Sequence, residues 1–257
     1  MLTPAEITES HLAAGERKAK LPLEKMFLLA VLAGAYVALA GVGATAAAVT
    51  VENASLAKLL SACVFPAGLS MVILAGSELF TGNCLMVMAL LERRITAAQM
   101  LRNWGIVYLG NVVGGAAVAA LAVYSHTASL FGGGLARSMA AISESKAALG
   151  FGDAFLRGIL CNFLVCLAVW MATSSKRAEG KIIALFFPIL LFVLCGYEHC
   201  IANLYYLPAG AFAAAEYGIE TTLTLMGYLK NLAAVTLGNI VGGAALGMAY
   251  RSIYLKK

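Results

Sequence analysis

Residues 195–203, CGYEHCIAN, set Glu198 beside His199 inside an apolar run, Ile182–Ala215, that holds no other charged residue. Residues 75–83, AGSELFTGN, repeat the same Gly-x-Glu spacing inside a second long run, Leu59–Leu91. That run is 33 residues long. As one helix it would measure about 50 Å, against a hydrocarbon core of about 30 Å. A straight crossing does not fit, so each run is predicted to be two half-helices around a non-helical loop, near 76–82 and 196–202. Irregular backbone at membrane depth is tolerated only where protein buries it or where it lines a wet cavity.

The rest of the chain agrees with a membrane setting. It is 61% apolar and 12% charged, with a mean hydropathy of +0.87, whereas a soluble domain carries roughly 25% charged residues. Met26–Val49, Trp104–Tyr124, about Phe155–Thr173 and Leu232–Tyr250 complete a set of six membrane segments. The first run is too long for a signal-peptide core and follows a polar stretch without a small-residue cleavage site, so it reads as a retained helix. Thirteen of the 18 Lys and Arg, Lys256 and Lys257 among them, fall on one side. Lys58, Arg137, Lys146, Arg157 and Lys230 fall on the other. The positive-inside bias makes both termini cytoplasmic. The net charge of +5 is an orientation signal in this reading, and no nucleic-acid partner is expected. All six cysteines lie in apolar segments without CxxC spacing, so neither a disulfide framework nor a metal site is expected.

The chain is an internal duplication. NWGIVYLGNVVGGAA at 103–117 matches NLAAVTLGNIVGGAA at 231–245 in ten of fifteen positions, an offset of 128, and the same offset pairs Phe27 with Phe155. An offset of 120 pairs ELFTGN (78–83) with EHCIAN (198–203). Three membrane segments per half is an odd number, so the second half must be inverted relative to the first. Such repeats place a transport site near the midplane, where the halves meet. The fold class expected is therefore an all-α membrane protein of two inverted three-helix repeats with the second helix of each broken. Residues 1–25 form an amino-terminal segment, 26–124 the first repeat, 125–154 an external loop, 155–250 the second repeat and 251–257 a tail.

Glu78 and Glu198 recur in both halves and suit a structural role, accepting hydrogen bonds from N–H groups freed at a helix break. A proton relay is the rival reading. His199 has no counterpart, because Leu79 stands at its place in the first half. Facing loops would bring it to Thr81, a hydroxyl that donates and accepts next to a ring that exchanges a proton near neutrality. Asn162 suits helix–helix hydrogen bonding or pore lining equally; for Asn111 and Asn239, each within LGN(V/I)VGG, helix bridging is favoured. Lys146, in the connecting loop, is a solvated charge or, if it dips into a vestibule, a lure for anions. Phe65, Leu69, Leu79, Phe80, Val165 and Phe192 adjoin the broken loops, where apolar constrictions would narrow a path. An enzyme is poorly supported: His11, His126 and His199 are the only histidines and no HExxH motif occurs, so no cofactor is expected.

GSELFTGNCLMVMAL, NWGIVYLGNVVGG, ILCNFLVCLAVWMA and CGYEHCIANLYYLPAG, in that order, resemble the formate/nitrite transporter family over about Met26–Tyr250. The resemblance implies an aquaporin-like protomer, a homopentamer with one pore per protomer in the lipid of a bacterial cytoplasmic membrane, and passage of small monovalent weak-acid anions. It places the family's central histidine at His199, its loop threonine at Thr81, its vestibule lysine at Lys146 and its pore asparagines at Asn162 and Asn239. It places the apolar slits at Phe65, Leu69, Leu79, Phe80, Val165 and Phe192. ELFTGN followed by Cys84 is closer to the nitrite and hydrosulfide members than to the formate members, without assigning one ion. In the mechanism this suggests, Lys146 draws the anion in, the slit strips its water, and His199 donates a proton. A variant uses His199 as a docking point with no proton transfer. A neutral-solute channel is the alternative function, though a lysine paired with a central histidine suits an anion better. Residues 1–25 are a solvated flank or a cover over the inner mouth.

Overall fold

A computed structural model describes residues 1–255; Lys256 and Lys257, counted above among the inner charges, lie outside the described residues. Helix α1 (Pro4–Ala19) is followed by α2 (Leu23–Ala48), α3 (Ala54–Val64) and α4 (Pro66–Ala75). After a break come α5 (Phe80–Asn83), a 3₁₀ turn (Cys84–Met86) and α6 (Val87–Leu91), then α7 (Ala97–Tyr124) and α8 (Gly134–Ala148). The second half holds α9 (Phe151–Thr173), α10 (Ala178–Leu194), α11 (Cys200–Tyr217) and α12 (Leu225–Tyr254). Among the described residues, five stretches are long and apolar enough to cross a membrane: α2, α3 with α4, α7, α9 and α12. The sixth segment is the pair α10 and α11, of 17 and 18 residues, interrupted at its middle. Leu109, Leu121, Ile183 and Phe187 are among the large apolar side chains left on the outside, the arrangement of a protein whose solvent is lipid.

The duplication is visible as equivalent packing. α7 lies on α2 and α12 lies on α9. Both contacts depend on glycine: a Cβ at Gly114 would run into the Val31 carbonyl oxygen, and one at Gly242 into that of Ile159. Residues 31 and 159 are themselves 128 apart, so the two interfaces are copies of one close helix crossing. Where the halves meet, Tyr108 and Thr236, also 128 apart, touch through their hydroxyls at 3.0 Å. Equivalent residues touch each other only near the axis that relates the repeats.

Both predicted breaks occur, and they are shorter than the sequence suggested. α4 ends at Gly76 (φ +77°) and α10 runs out at Cys195 and Gly196 (φ +70°). Open space surrounds both glycines, so the left-handed backbone, and not crowding, demands the missing side chain. Residues 77–79 and 197–199 are non-helical, Leu79 and His199 being extended, and each stretch hydrogen-bonds to the neighbouring helix, Glu78 N–H to Leu29 O and Glu198 N–H to Arg157 O. Helix resumes at Phe80 and Cys200, not at 83 and 203 as expected, because Asn111 Oδ1 accepts the Phe80 N–H and Asn239 Oδ1 that of Cys200. These caps satisfy donors that a helix start otherwise leaves orphaned. Thr81 is thus in the first turn of a helix, where a loop was expected.

Two further expectations are corrected. The connecting segment 125–154 is largely helix: α8 packs on α11, and Lys146 lies in its last turn rather than in a loop. The amino-terminal segment is not a solvated flank. Helix α1 opens with a capping box between Thr3 and Glu6 and buries Ile7, His11, Leu12 and Gly15. It packs against α6 and α12, and Arg94 grips it through Glu9 (2.6 Å) and Glu16 (3.3 Å). Arg251 near the end of α12 pairs with Glu92 at 2.6 Å, so α1, the 92–94 turn and the end of α12 share one side of the molecule.

Candidate functional site

Two cavities open toward opposite ends of the protomer and stop short of each other. One, of about 130 Å³, lies under α8 and is lined by Lys58, Phe65, Lys146, Phe192, Glu198 and His199. The other, of about 310 Å³, lies under α1 and is lined by His11, Lys18, Leu69, Glu78, Leu79 and Thr173. Phe65 faces the first and Leu69 the second, a separation of four residues, or about 6 Å of helix rise. The barrier between the cavities is therefore one helical turn thick. Phe65 and Phe192 meet edge to face, with centroids 5.6 Å apart, at the α8 side of it. Leu69 and Leu79 bound the α1 side, both buried.

Each mouth carries the same polar cluster. Lys18 Nζ donates to Glu78 Oε1 at 2.8 Å, and Lys146 Nζ to Glu198 Oε1 at 2.8 Å. The second oxygen of each carboxylate accepts an amide N–H at 2.7 Å, from Asn83 and from Asn203. Those amides in turn donate to Asn103 Oδ1 and Asn231 Oδ1. Asn103 and Asn231 then reach back to the carbonyls of Lys18 and Lys146. The role expected for the glutamates is corrected in its partners: lysine and asparagine side chains occupy the carboxylates, and Asn111 and Asn239 take the freed N–H groups instead. A buried carboxylate in contact with a cation and an amide is matched in charge and hydrogen bonding, which is the condition for burying it at all.

At the centre, His199 Nε2 lies 2.9 Å from Thr81 Oγ1. His199 Nδ1 accepts the Ala202 N–H at 3.1 Å, so the ring itself caps α11. An Nδ1 that accepts carries no proton, which leaves the ring proton on Nε2, donated to Thr81. Binding a second proton would require release of the Ala202 N–H. The Phe192 ring is stacked on the imidazole at 5.8 Å.

The remaining residues expected at the site divide. Asn162 is fully buried and donates to Thr81 O (3.2 Å) and Asn239 O (2.7 Å), so it positions the threonine without facing either cavity. Asn239 ties Glu198 O and Gly158 O to the Cys200 N–H, as Asn111 ties Glu78 O and Ala30 O to Phe80. Val165 is buried and lines neither cavity. Phe80 departs from the expected constriction: its ring packs on Tyr108 (5.0 Å) and Trp104 (6.0 Å) of α7, because the chain turns into α5 with that side chain directed away from the slit. Lys18, Asn83, Asn103, Asn203 and Asn231 were missed, although the offsets of 128 and 120 pair Lys18 with Lys146, Asn103 with Asn231 and Asn83 with Asn203. His11 was missed too. It stacks on Trp170 at 5.0 Å and meets Thr173 Oγ1 at 3.3 Å, sealing α1 against α9.

This architecture has known relatives. The chain is 39% identical to the formate channel FocA of Haemophilus influenzae, over 100% of this chain and 95% of that protein. It is 38% identical to the uncharacterized transporter YrhG of Bacillus subtilis, over 99% and 94%. Among solved structures it superposes on a pentameric formate channel with formate bound (TM-score 0.81, 34% identity, 91% of this chain and 98% of that one). It also superposes on an FNT family ion channel (TM-score 0.85, 30% identity, 95% and 97%). The formate/nitrite transporter profile spans residues 5–253. With an inverted pair of broken helices and paired vestibules, the chain belongs to the formate/nitrite transporter family, whose members are membrane channels and transporters and not enzymes.

Proposed function

We propose that the protein carries small monovalent weak-acid anions, formate foremost, through each protomer of a homopentamer in the bacterial cytoplasmic membrane, with both termini in the cytoplasm. The observation that carries this reading is the buried Thr81–His199 contact at the barrier between two lysine-bearing cavities. A bare anion crosses an apolar slit at high cost. Loss of water disfavours its charged form, so it takes up a proton as it enters and crosses as the neutral acid. Phe65 with Phe192, then Leu69 with Leu79, exclude water; His199 Nε2–H and the Thr81 hydroxyl supply the hydrogen bonds that water no longer does.

The hydrogen-bond pattern favours the docking variant for His199. A neutral ring that gives up its Nε2 proton needs another at Nδ1, and Nδ1 is committed to the Ala202 N–H. The proton then travels with the substrate from the vestibule. The relatives named for formate support formate as the first substrate, with nitrite and hydrosulfide as further small candidates of the same charge. The test is flux of formate, nitrite, hydrosulfide and glycerol into proteoliposomes with an internal pH dye. Acid-linked formate uptake is expected; selective glycerol passage without anion uptake sinks the reading in favour of a neutral-solute channel.

A further inference from the structure

The α8 mouth holds a cation that the inverted repeat does not reproduce. Lys58, on α3, lines the same cavity as Lys146, Glu198 and His199. The charge of Lys146 is matched by Glu198, the two side chains being 16% and 6% exposed, so this pair presents little net charge to an approaching ion. Lys58 is exposed and, among the described residues, makes no ion pair and no side-chain hydrogen bond. The charged groups lining the α8 cavity are thus Lys58, Lys146 and Glu198, which sum to a net positive charge. Those lining the α1 cavity are Lys18 and Glu78, which cancel, beside a His11 that burial holds neutral. The offset of 120 that relates the broken helices puts Ala178 at the place of Lys58.

We propose that Lys58 is the recruiting cation of the α8 mouth, drawing a small monovalent anion toward His199 and Thr81, while Lys146 is held by Glu198 as a positioning residue. An unpaired charge at the rim of a low-dielectric cavity raises the local concentration of counter-ions and acts over about 8–10 Å at physiological salt. Among the described residues no unpaired charge lines the cavity opposite, so saturation is asymmetric: anions entering past α8 saturate the path at lower concentration than those entering past α1.

This inference rests on the anion reading above and is tested so that the two fail separately. Formate entry is measured in right-side-out and inside-out membrane vesicles for the wild type, Lys58→Met and Lys58→Arg. Lys58→Met is expected to raise the half-saturating formate concentration from the α8 side about three- to tenfold. It should flatten the dependence of that entry on ionic strength and lower entry at low formate by the same factor from both sides, as passive transport requires, while the half-saturating concentration from the α1 side stays as it was. Lys58→Arg should restore the wild-type values, since charge and not shape is what is asked of the residue. A half-saturating concentration that rises equally from both sides, or a failure of arginine to rescue, makes Lys58 structural and overturns the proposal. Wild-type formate flux with an unaltered Lys58→Met overturns it while sparing the anion reading. Absence of formate, nitrite and hydrosulfide flux in the wild type overturns both.

Discussion

His199 Nε2 and Thr81 Oγ1 meet at 2.9 Å from positions 118 residues apart, one from each half of the duplication, and nothing in the first half repeats the histidine. The contact breaks the symmetry that the paired lysine–glutamate–asparagine clusters keep, which is why the proposed transport path is centred on it.

Replacing Thr81 with valine leaves the His199 Nε2–H buried without an acceptor, at a cost of about 1–3 kcal/mol. Replacing His199 with alanine removes the α11 cap as well, a further loss of about 1 kcal/mol. His199→Asn keeps a side-chain cap, so it should assemble like the wild type while losing most anion flux. Thermal unfolding in detergent alongside liposome flux checks this; a His199→Asn protein with full flux would remove the ring from the mechanism.

Removing Glu198 strands Lys146 and Asn203, and removing Glu78 strands Lys18 and Asn83. The first pair is better shielded, with its lysine 16% exposed against 28% for Lys18. A double-mutant cycle on Lys146 and Glu198 should give a coupling of about 3 kcal/mol, and the cycle on Lys18 and Glu78 a smaller one. Equal couplings would mean that exposure does not set their strength.

Gly114→Ala and Gly242→Ala should each force their helices apart, because the new methyl group meets a carbonyl oxygen of the facing helix. A loss of about 1–3 kcal/mol or failure to assemble is expected for either. Gly105, on the same helix as Gly114 but with nothing within 4 Å, is the control: alanine there should be neutral or stabilising by up to about 1 kcal/mol. Size-exclusion profiles of the three variants separate these outcomes.

Burial, and secondarily Lys18, pushes His11 down from 6.5 to about 4. A depressed histidine binds its proton more readily when α1 is undocked, so docking is at full strength above pH 6.5. It weakens as pH falls from there toward 4, by up to about tenfold per pH unit. Hydrogen exchange of the α1 amides, corrected for intrinsic rates, should accelerate across that window in the wild type and not in His11→Phe. A wild-type profile that stays flat from pH 7.5 to 4 contradicts it.

The lengths of the apolar runs, the 128-residue duplication and the glycine–glutamate interruptions were legible in the chain, because each depends on residues close in sequence. Membrane span length, helix termination and internal repetition are linear properties. From them follow six segments, inverted halves and two broken helices, and the match of four motifs identified the family. Tertiary structure decided what the charged residues touch. Lys18 and Glu78 are 60 residues apart, Lys146 and Glu198 are 52 apart, and neither pairing has a periodic signature. The turn of Phe80 onto α7, the docking of α1 through His11 and the resumption of helix at Phe80 and Cys200 likewise follow from neighbours supplied by other helices. Buried polar groups must be matched wherever packing brings a partner, and packing is settled only when all the helices are in place.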